Sequence, residues 1–395
     1  MPVYANDMLS PMFLMGVVEK RPNKAAIKQQ YIGLKYFPLQ EVPERKLTWD
    51  IVYTENNLAG FYDTKGQAIP GDDVLFSQAF ANLIDIKASR HLDPDIVNSI
   101  RSPGAAALYR VAGDDPFMRS RQANEKAHLN ERVGWCDDAV DSQLEYILMS
   151  LMGTGTVLWP PRDNAGNVIS PAMPHWNAEM PLSITFPMES WKKQIASTLV
   201  GHDGRVNTTA RVPWTNATAD IIQDLEIINE LFVQNTGLSL RGGKIIMSET
   251  MLSRLAFNTT FIQWVAGVNK EQPGARQFVD VGEVKTLISS RLGWTIETYD
   301  AQWTYRSHVS GTKPTITRVN FLKPGQVIFV PPNASPLGNT ATTFLRRADG
   351  SYKSGKYPWS YETPKPPHEI EVGVDLVAWP IVKTNYDWMI LDADN

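Results

Sequence analysis

Cysteine is almost missing from this chain. Cys136 is the only one among 395 residues, which excludes an internal disulfide framework and any cysteine-rich metal centre. No sign of charge dominates: 38 Lys and Arg stand against 42 Asp and Glu, for a formal net charge of −4. That balance argues against a strongly basic nucleic-acid binder. Long apolar runs are absent too. The longest, YILMSLMGTGTVLW from Tyr146, is too short and too broken by glycine to span a bilayer. The opening MPVYANDMLSPMFLMGVVEKRPNK has no basic region ahead of its apolar part, so no secretory signal is expected. A soluble protein in a reducing compartment is the simplest expectation.

Catalytic signatures are equally scarce. His91, His128, His175, His202, His308 and His368 have no ligand-type neighbour at metal-binding spacing. His202 and Asp203 lie in the turn GHDG and read as solvated. No GxSxG elbow occurs. MGTGTV follows a predicted helix rather than a strand, so it is not a dinucleotide fingerprint. Asp114–Asp115 reads as a helix cap and Asp137–Asp138 as a solvated helix face. The twelve tryptophans are spread through every segment, which suits packing better than sugar stacking. No catalytic, cofactor-binding or metal-ligating residue is assigned, no cofactor is expected, and no enzyme is expected.

What is present is an ordinary globular composition, 43% apolar and 20% charged, on a chain long enough for more than one core. GGKIIMSETMLSRLAFN, Gly242–Asn258, sets the tone. A phosphate loop needs its glycines after a strand. Here they precede the apolar run Ile245–Met247, which reads as a short buried strand. Ser248 then stands as an N-cap with Glu249 in the first turn. The stretch predicts turn, strand and capped helix.

The strongest periodicity starts at Asp115, a good N-cap, with Pro116 at N1. A helix is predicted over 115–152, with Gly153 as its C′ stop. Val133, Cys136, Val140, Leu144, Ile147, Leu148 and Leu151 form one apolar stripe. Cys136 is therefore a buried small hydrophobe. Arg119, Arg121, Glu125, Lys126, Arg132, Asp137 and Asp141 fill the other face. Such a helix is about 55 Å long, and Gly134 is a place for it to bend.

Elsewhere the pattern is α+β. Residues 1–45, punctuated by Pro2, Pro11, Pro22, Pro38 and Pro43 and mildly basic, read as an extended arm. Residues 47–59 read as a strand, and the region to Ile100 as a projecting loop or hairpin with a short helix from Asp95. Strand and turn are expected over 154–185. Helices are predicted over Ala217–Gln234, closed by Gly237, and Phe278–Leu292, closed by Gly293. WTIETYDAQW and RVNFLKPGQVIFVPP read as strands, the second as a pair joined by KPGQ. Residues 338–367 read as loop, and the C-terminal strands as split by Pro380.

The order of these pieces, and above all Gly243–Asn258, the GWxIExYD run at Gly293–Asp300 and LKPGQVIFVPP at Leu322–Pro332, resembles the lambda-type phage major capsid protein family, the E family, which has the Hong Kong 97-type fold. The resemblance covers most of the chain. It implies an N-terminal arm (1–47), an extended loop (48–101), a peripheral domain (102–237) with a spine helix at 115–152, an axial domain (238–344), and loop and strands returning to the peripheral domain (345–395). Residues 196–216 and 338–367 would be insertions. The implied function is the icosahedral head shell around the double-stranded DNA of a tailed phage, built as pentamers and hexamers with a scaffolding protein, a portal and a decoration protein, with non-specific DNA contact and no membrane. The virion is the implied location, reached by assembly in the bacterial cytoplasm. An encapsulin-like compartment shell is the nearest alternative, and a tryptophan-rich glycan-binding module a more distant one. Some relatives weld subunits through a lysine–asparagine bond; Lys65 and Lys87 lie in the loop, but the lambda type implies non-covalent contacts.

Overall fold

The computed structural model describes residues 10–20, 31–52, 76–92, 116–159, 182–186, 188–199, 211–266, 278–307, 315–332, 336–346, 352–362, 370–382 and 388–395. Asp114–Asp115, the helix expected from Asp95, Lys65, His175, His202–Asp203, His308 and His368 lie outside them.

The helices are α1 (Pro11–Lys20), α2 (Gly33–Tyr36), α3 (Pro116–Thr154), α4 (Ile221–Thr236), α5 (Glu249–Phe257), α6 (Thr259–Ala266) and α7 (Val281–Leu287), the last running into a π turn at Ile288–Leu292. At 39 residues α3 spans about 58 Å. Its stripe is buried as the spacing predicts, every named member from Val133 to Leu151 being under a twentieth exposed. The stop lies further on than expected: Gly153 is still helical, and Gly155, at φ 66°, takes the left-handed conformation that glycine adopts without a Cβ clash. Asp137 is not on a solvated face. It is 2% exposed and receives Lys356 Nζ at 2.5 Å, a lysine that also meets Asp141.

A six-stranded sheet packs against α3. Its spine is β16 (Ile370–Val382), which pairs antiparallel with β4 (Ile84–Leu92), β15 (Tyr357–Glu362) and, at its C-terminal end, β13 (Gly338–Arg346). β1 (Leu39–Val42) runs parallel to β13, and β14 (Tyr352–Ser354) pairs with β13. Several expectations are corrected here. Pro380 does not split the C-terminal strand: it sits opposite Thr340 at the last stretch of β16, which is buried on both faces. A strand covered on both sides loses the alternation that marks a strand in sequence. Residues 338–367 are strand-rich, with β13 inside the sheet. Residues 84–92, expected within a projecting loop or hairpin, form a strand of this sheet. The arm is not extended throughout: α1 and α2 form, and Tyr36 and Phe37 are fully buried.

A five-stranded sheet is ordered β7 (Lys193–Ile195), β17 (Met389–Asp392), β12 (Gln326–Val330), β8 (Lys244–Met247), β9 (Thr295–Thr298). Side chains alternate across it with period two. Ile246, Ile328, Val330 and Ile390 join a core with α3 and the larger sheet. Ile245, Met247, Val327, Phe329, Met389 and Leu391 join a second core with α4, α5 and α6. One sheet is thus the wall between two cores. KPGQ does not close a hairpin: β12 enters this wall, whereas the preceding β11 (Thr315–Asn320) pairs with β10 (Gln302–Ser307). Among the described residues, three two-stranded ribbons stand outside both sheets: β10–β11, β5 (Thr156–Trp159) with β6 (Leu182–Thr185), and β2 (Lys46–Val52) with β3 (Phe76–Asn82).

Candidate functional site

The predicted turn–strand–capped helix is present. Ser248 Oγ accepts from Met251 N at 3.2 Å and donates to the Pro324 carbonyl at 2.9 Å. Gly237 (φ 70°) and Gly293 (φ 80°) close their helices as expected, while α4 starts at Ile221, later than predicted, capped by Asp220. The short helix α6 escaped the sequence reading.

The GWxIExYD run proves to be a junction. Trp294 Nε1 donates to the Leu240 carbonyl at 2.7 Å, fixing β9 to the turn before β8. Asp300 accepts from Glu249 N with both oxygens at 3.0 Å, completing the start of α5. Glu297 accepts from Lys35 Nζ at 2.6 Å and from Tyr36 Oη at 3.1 Å, tying β9 to α2. Tyr299 Oη donates to Glu145 Oε1 at 2.6 Å, reaching the long helix.

Glu145 is the centre of this junction. It is 2% exposed and accepts, besides Tyr299, the backbone N–H groups of Ile32 at 3.0 Å and Gly33 at 3.1 Å. Burial holds its pKa above the ordinary carboxylate range, with the Tyr299 and backbone donors pulling the other way. Burial and Glu145 together also raise Tyr299. Gly33 has no substitute here: a Cβ would meet Glu145 Oε2 at 2.6 Å and Leu148 Cβ at 2.9 Å. The only sequence signal for Glu145 was a carboxylate inside a run of apolar residues, Leu144 to Leu148, one position off the stripe.

Two kinds of surface stand out. The β2–β3 ribbon pairs, among the described strands, only with itself. Phe257 and Phe278 touch at a centroid distance of 6.2 Å while remaining 63% and 59% exposed. The Val279 N–H bond to the Ala256 carbonyl, 3.0 Å, holds their backbones together.

Cys136, Lys87, His91 and His128, also singled out by the sequence, lie apart from the Glu145 junction. Cys136 is fully buried, with Sγ 3.7 Å from the Val372 carbonyl and its thiol pushed up to about 12 by burial. Lys87 lies in β4, not in a loop, with Nζ 3.8 Å from Asp375. His91 is exposed and His128 buried. Trp214, Trp294, Trp379 and Trp388 are among the largest fully buried side chains. Among the described residues no cluster of His, Cys, Asp and Glu that could hold a metal occurs, and no helix is long and apolar enough to cross a membrane. The Glu145 and Glu297 contacts tie the arm, the long helix and the five-stranded wall to one another.

No family model and no curated protein matches the chain. Solved structures do. A chain named as a prophage capsid protein of E. coli CFT073 matches with a TM-score of 0.54 at 12% identity, over 97% of this chain and 99% of that one. Two weaker likenesses are a phage-related protein from Bordetella bronchiseptica RB50 (TM-score 0.45, 13% identity, 98% and 97% covered) and an encapsulin from Synechococcus elongatus PCC 7942 (0.39, 9%, 95% and 90%). The long helix against one sheet, the second core behind another and the end-to-end correspondence with the prophage chain lead to one assignment: this chain has the α+β Hong Kong 97-type capsid fold.

Proposed function

We propose that the chain is the major capsid protein of a tailed phage, of the lambda type, and that many copies close into an icosahedral shell around double-stranded DNA. The observation that carries this reading is the end-to-end likeness to a prophage capsid chain, over 97% of this chain and 99% of that one. Physical features support it. A two-stranded ribbon buries little by itself and is marginal in water without further cover. The exposed Phe257–Phe278 pair offers a second apolar contact. Heterologous contacts of this kind close into rings of five and six when the rotation allows. A net charge of −4 suits a wall that holds DNA without gripping its phosphates.

In this reading residues 48–101 are the extended loop, although 84–92 are also sheet, and α3 is the spine of a peripheral domain at 102–237. Residues 238–344 are the axial domain, and 345–395 return to the peripheral domain. A scaffold, a portal and a decoration protein are the partners. The role is structural, without catalysis, and contacts between copies are non-covalent.

Negative-stain microscopy of the expressed protein, followed by analysis of what particles formed in infected or induced cells contain, tests this. Closed shells holding nuclease-protected DNA are expected. Shells holding protein cargo would favour the compartment reading, and small glycan-binding oligomers would overturn both.

A further inference from the structure

The ribbon β2–β3 is suspended between two unequal anchors. On its far side β4 is bound to β16 through nine paired positions, Ile84 to Leu92. On its near side the chain arrives from β1, which makes only four parallel pairs with β13, Leu39 to Val42. Between β1 and β2 lie three residues, and the ribbon base is bridged by Leu83 N to the Arg45 carbonyl at 2.9 Å and by Arg45 with Asp85 at 3.6 Å. The weaker anchor decides where the ribbon points. It is reinforced just upstream, where Glu145 takes the Ile32 and Gly33 amides and Glu297 takes Lys35 and Tyr36.

Glu145 is a costly way to hold a chain segment. A carboxylate buried this deeply gives up its water, and replacing such a buried polar set as a whole by apolar residues of similar size often leaves stability equal or higher. Buried charge of this kind is best attested where it fixes register. We propose that Glu145 is a positioning residue: its carboxylate fixes the docking of residues 31–42 on the long helix and thereby the direction in which the β2–β3 ribbon leaves the body. The carboxylate faces Tyr31 and the Ile32 and Gly33 amides from the arm, Asp141 from its own helix, and Tyr299 from just past the end of β9, while Tyr31 Oη shares a hydrogen bond with Ser142 Oγ. Gly33 is the matching half, since only glycine lets the arm backbone reach the carboxylate. That the ribbon's direction matters for assembly rests on the shell reading; the positioning itself does not.

The test uses the full chain as free subunits. Spin labels go on Thr48→Cys in β2 and Glu131→Cys, an exposed position of α3. Cys136, fully buried, stays unlabelled. In Glu145→Met the expected result is a lower melting temperature, since three buried donors lose their acceptor, with a broadened label distance and amide exchange at residues 32 and 33 faster by about ten- to a hundredfold, the loss that goes with bonds to a charged group. Gly33→Ala pushes the same segment off an intact carboxylate and is expected to broaden the distance in the same way, so it carries the test if the methionine variant does not fold. A distance distribution as narrow as wild type in a folded variant, with exchange at 32 and 33 unchanged, overturns the positioning role and leaves the shell reading standing. A wild-type protein that positions its ribbon but never forms particles overturns the shell reading alone.

Discussion

The two cores lie on opposite faces of one five-stranded wall, yet they are built on different plans. The core around α3 collects residues from Leu14 to Ile390, and its central pairing joins β4 to β16 across most of the chain. The other draws almost wholly on residues 196–296, with alternate residues of β12 and β17 added through the wall. Its elements are short, capped helices whose start and stop signals are local: Asp220, Ser248 and Asp280 at the N-termini, Gly237 and Gly293 at the ends. The lesson is that the first core depends on long loop closures, which are slow to form, whereas the second can form from its neighbours in sequence. The shared wall makes each depend on the other.

The largest expected effect comes from breaking that wall. Phe329 is fully buried on the second core's face, edge-on to Trp294 at 6.2 Å, between Ile328 and Val330, which face the first core. Phe329→Ala should cost about 3–5 kcal/mol in urea unfolding, and amides of both α3 and α5 should lose protection. Loss confined to the second core would mean that the two cores are independent units.

Asp224 tests the second core alone. It accepts from Trp214 Nε1 at 2.8 Å and pairs with Arg211. Burial raises its pKa from 3.8 to about 6. The folded chain therefore holds a proton there that the unfolded chain has released. That contribution is fully present below about pH 4 and is lost as pH rises to about 6, with no further change above. Asp224→Asn should remove this slope from a titration of unfolding free energy. An unchanged slope would show that another group is responsible.

Ser248→Ala is the mildest case. Losing the cap should cost about 1 kcal/mol, with faster exchange at Met251 and none in the first core; a larger or wider effect would mean that the bond to the Pro324 carbonyl carries more than the cap does.

The same division explains what the sequence disclosed. Caps, glycine stops and a helical stripe act within a few residues, so α3, α4, α5 and their ends could be read to within a turn. β13 could not, because a strand covered on both faces shows little alternation, and β16 could be read only as strands broken at Pro380. Residues 84–92 looked thin in apolar content because their cover comes from β16, more than half the chain away. Asp137 looked solvated because Lys356, its partner, lies in a distant turn. Glu145 and Glu297 read as ordinary helix and strand charges; what makes them a junction is the arm folded against them, and no local pattern announces that.

The central claim is that this body is a shell subunit that reaches its neighbours through the ribbon. Cryo-electron microscopy of particles formed by the expressed protein, at a resolution that traces α3, tests it most directly. The account predicts closed shells in which both cores of each copy form the wall and the β2–β3 ribbon lies over an adjacent copy. Concentrated protein that stays monomeric, or particles in which the ribbon folds back on its own subunit, would contradict it.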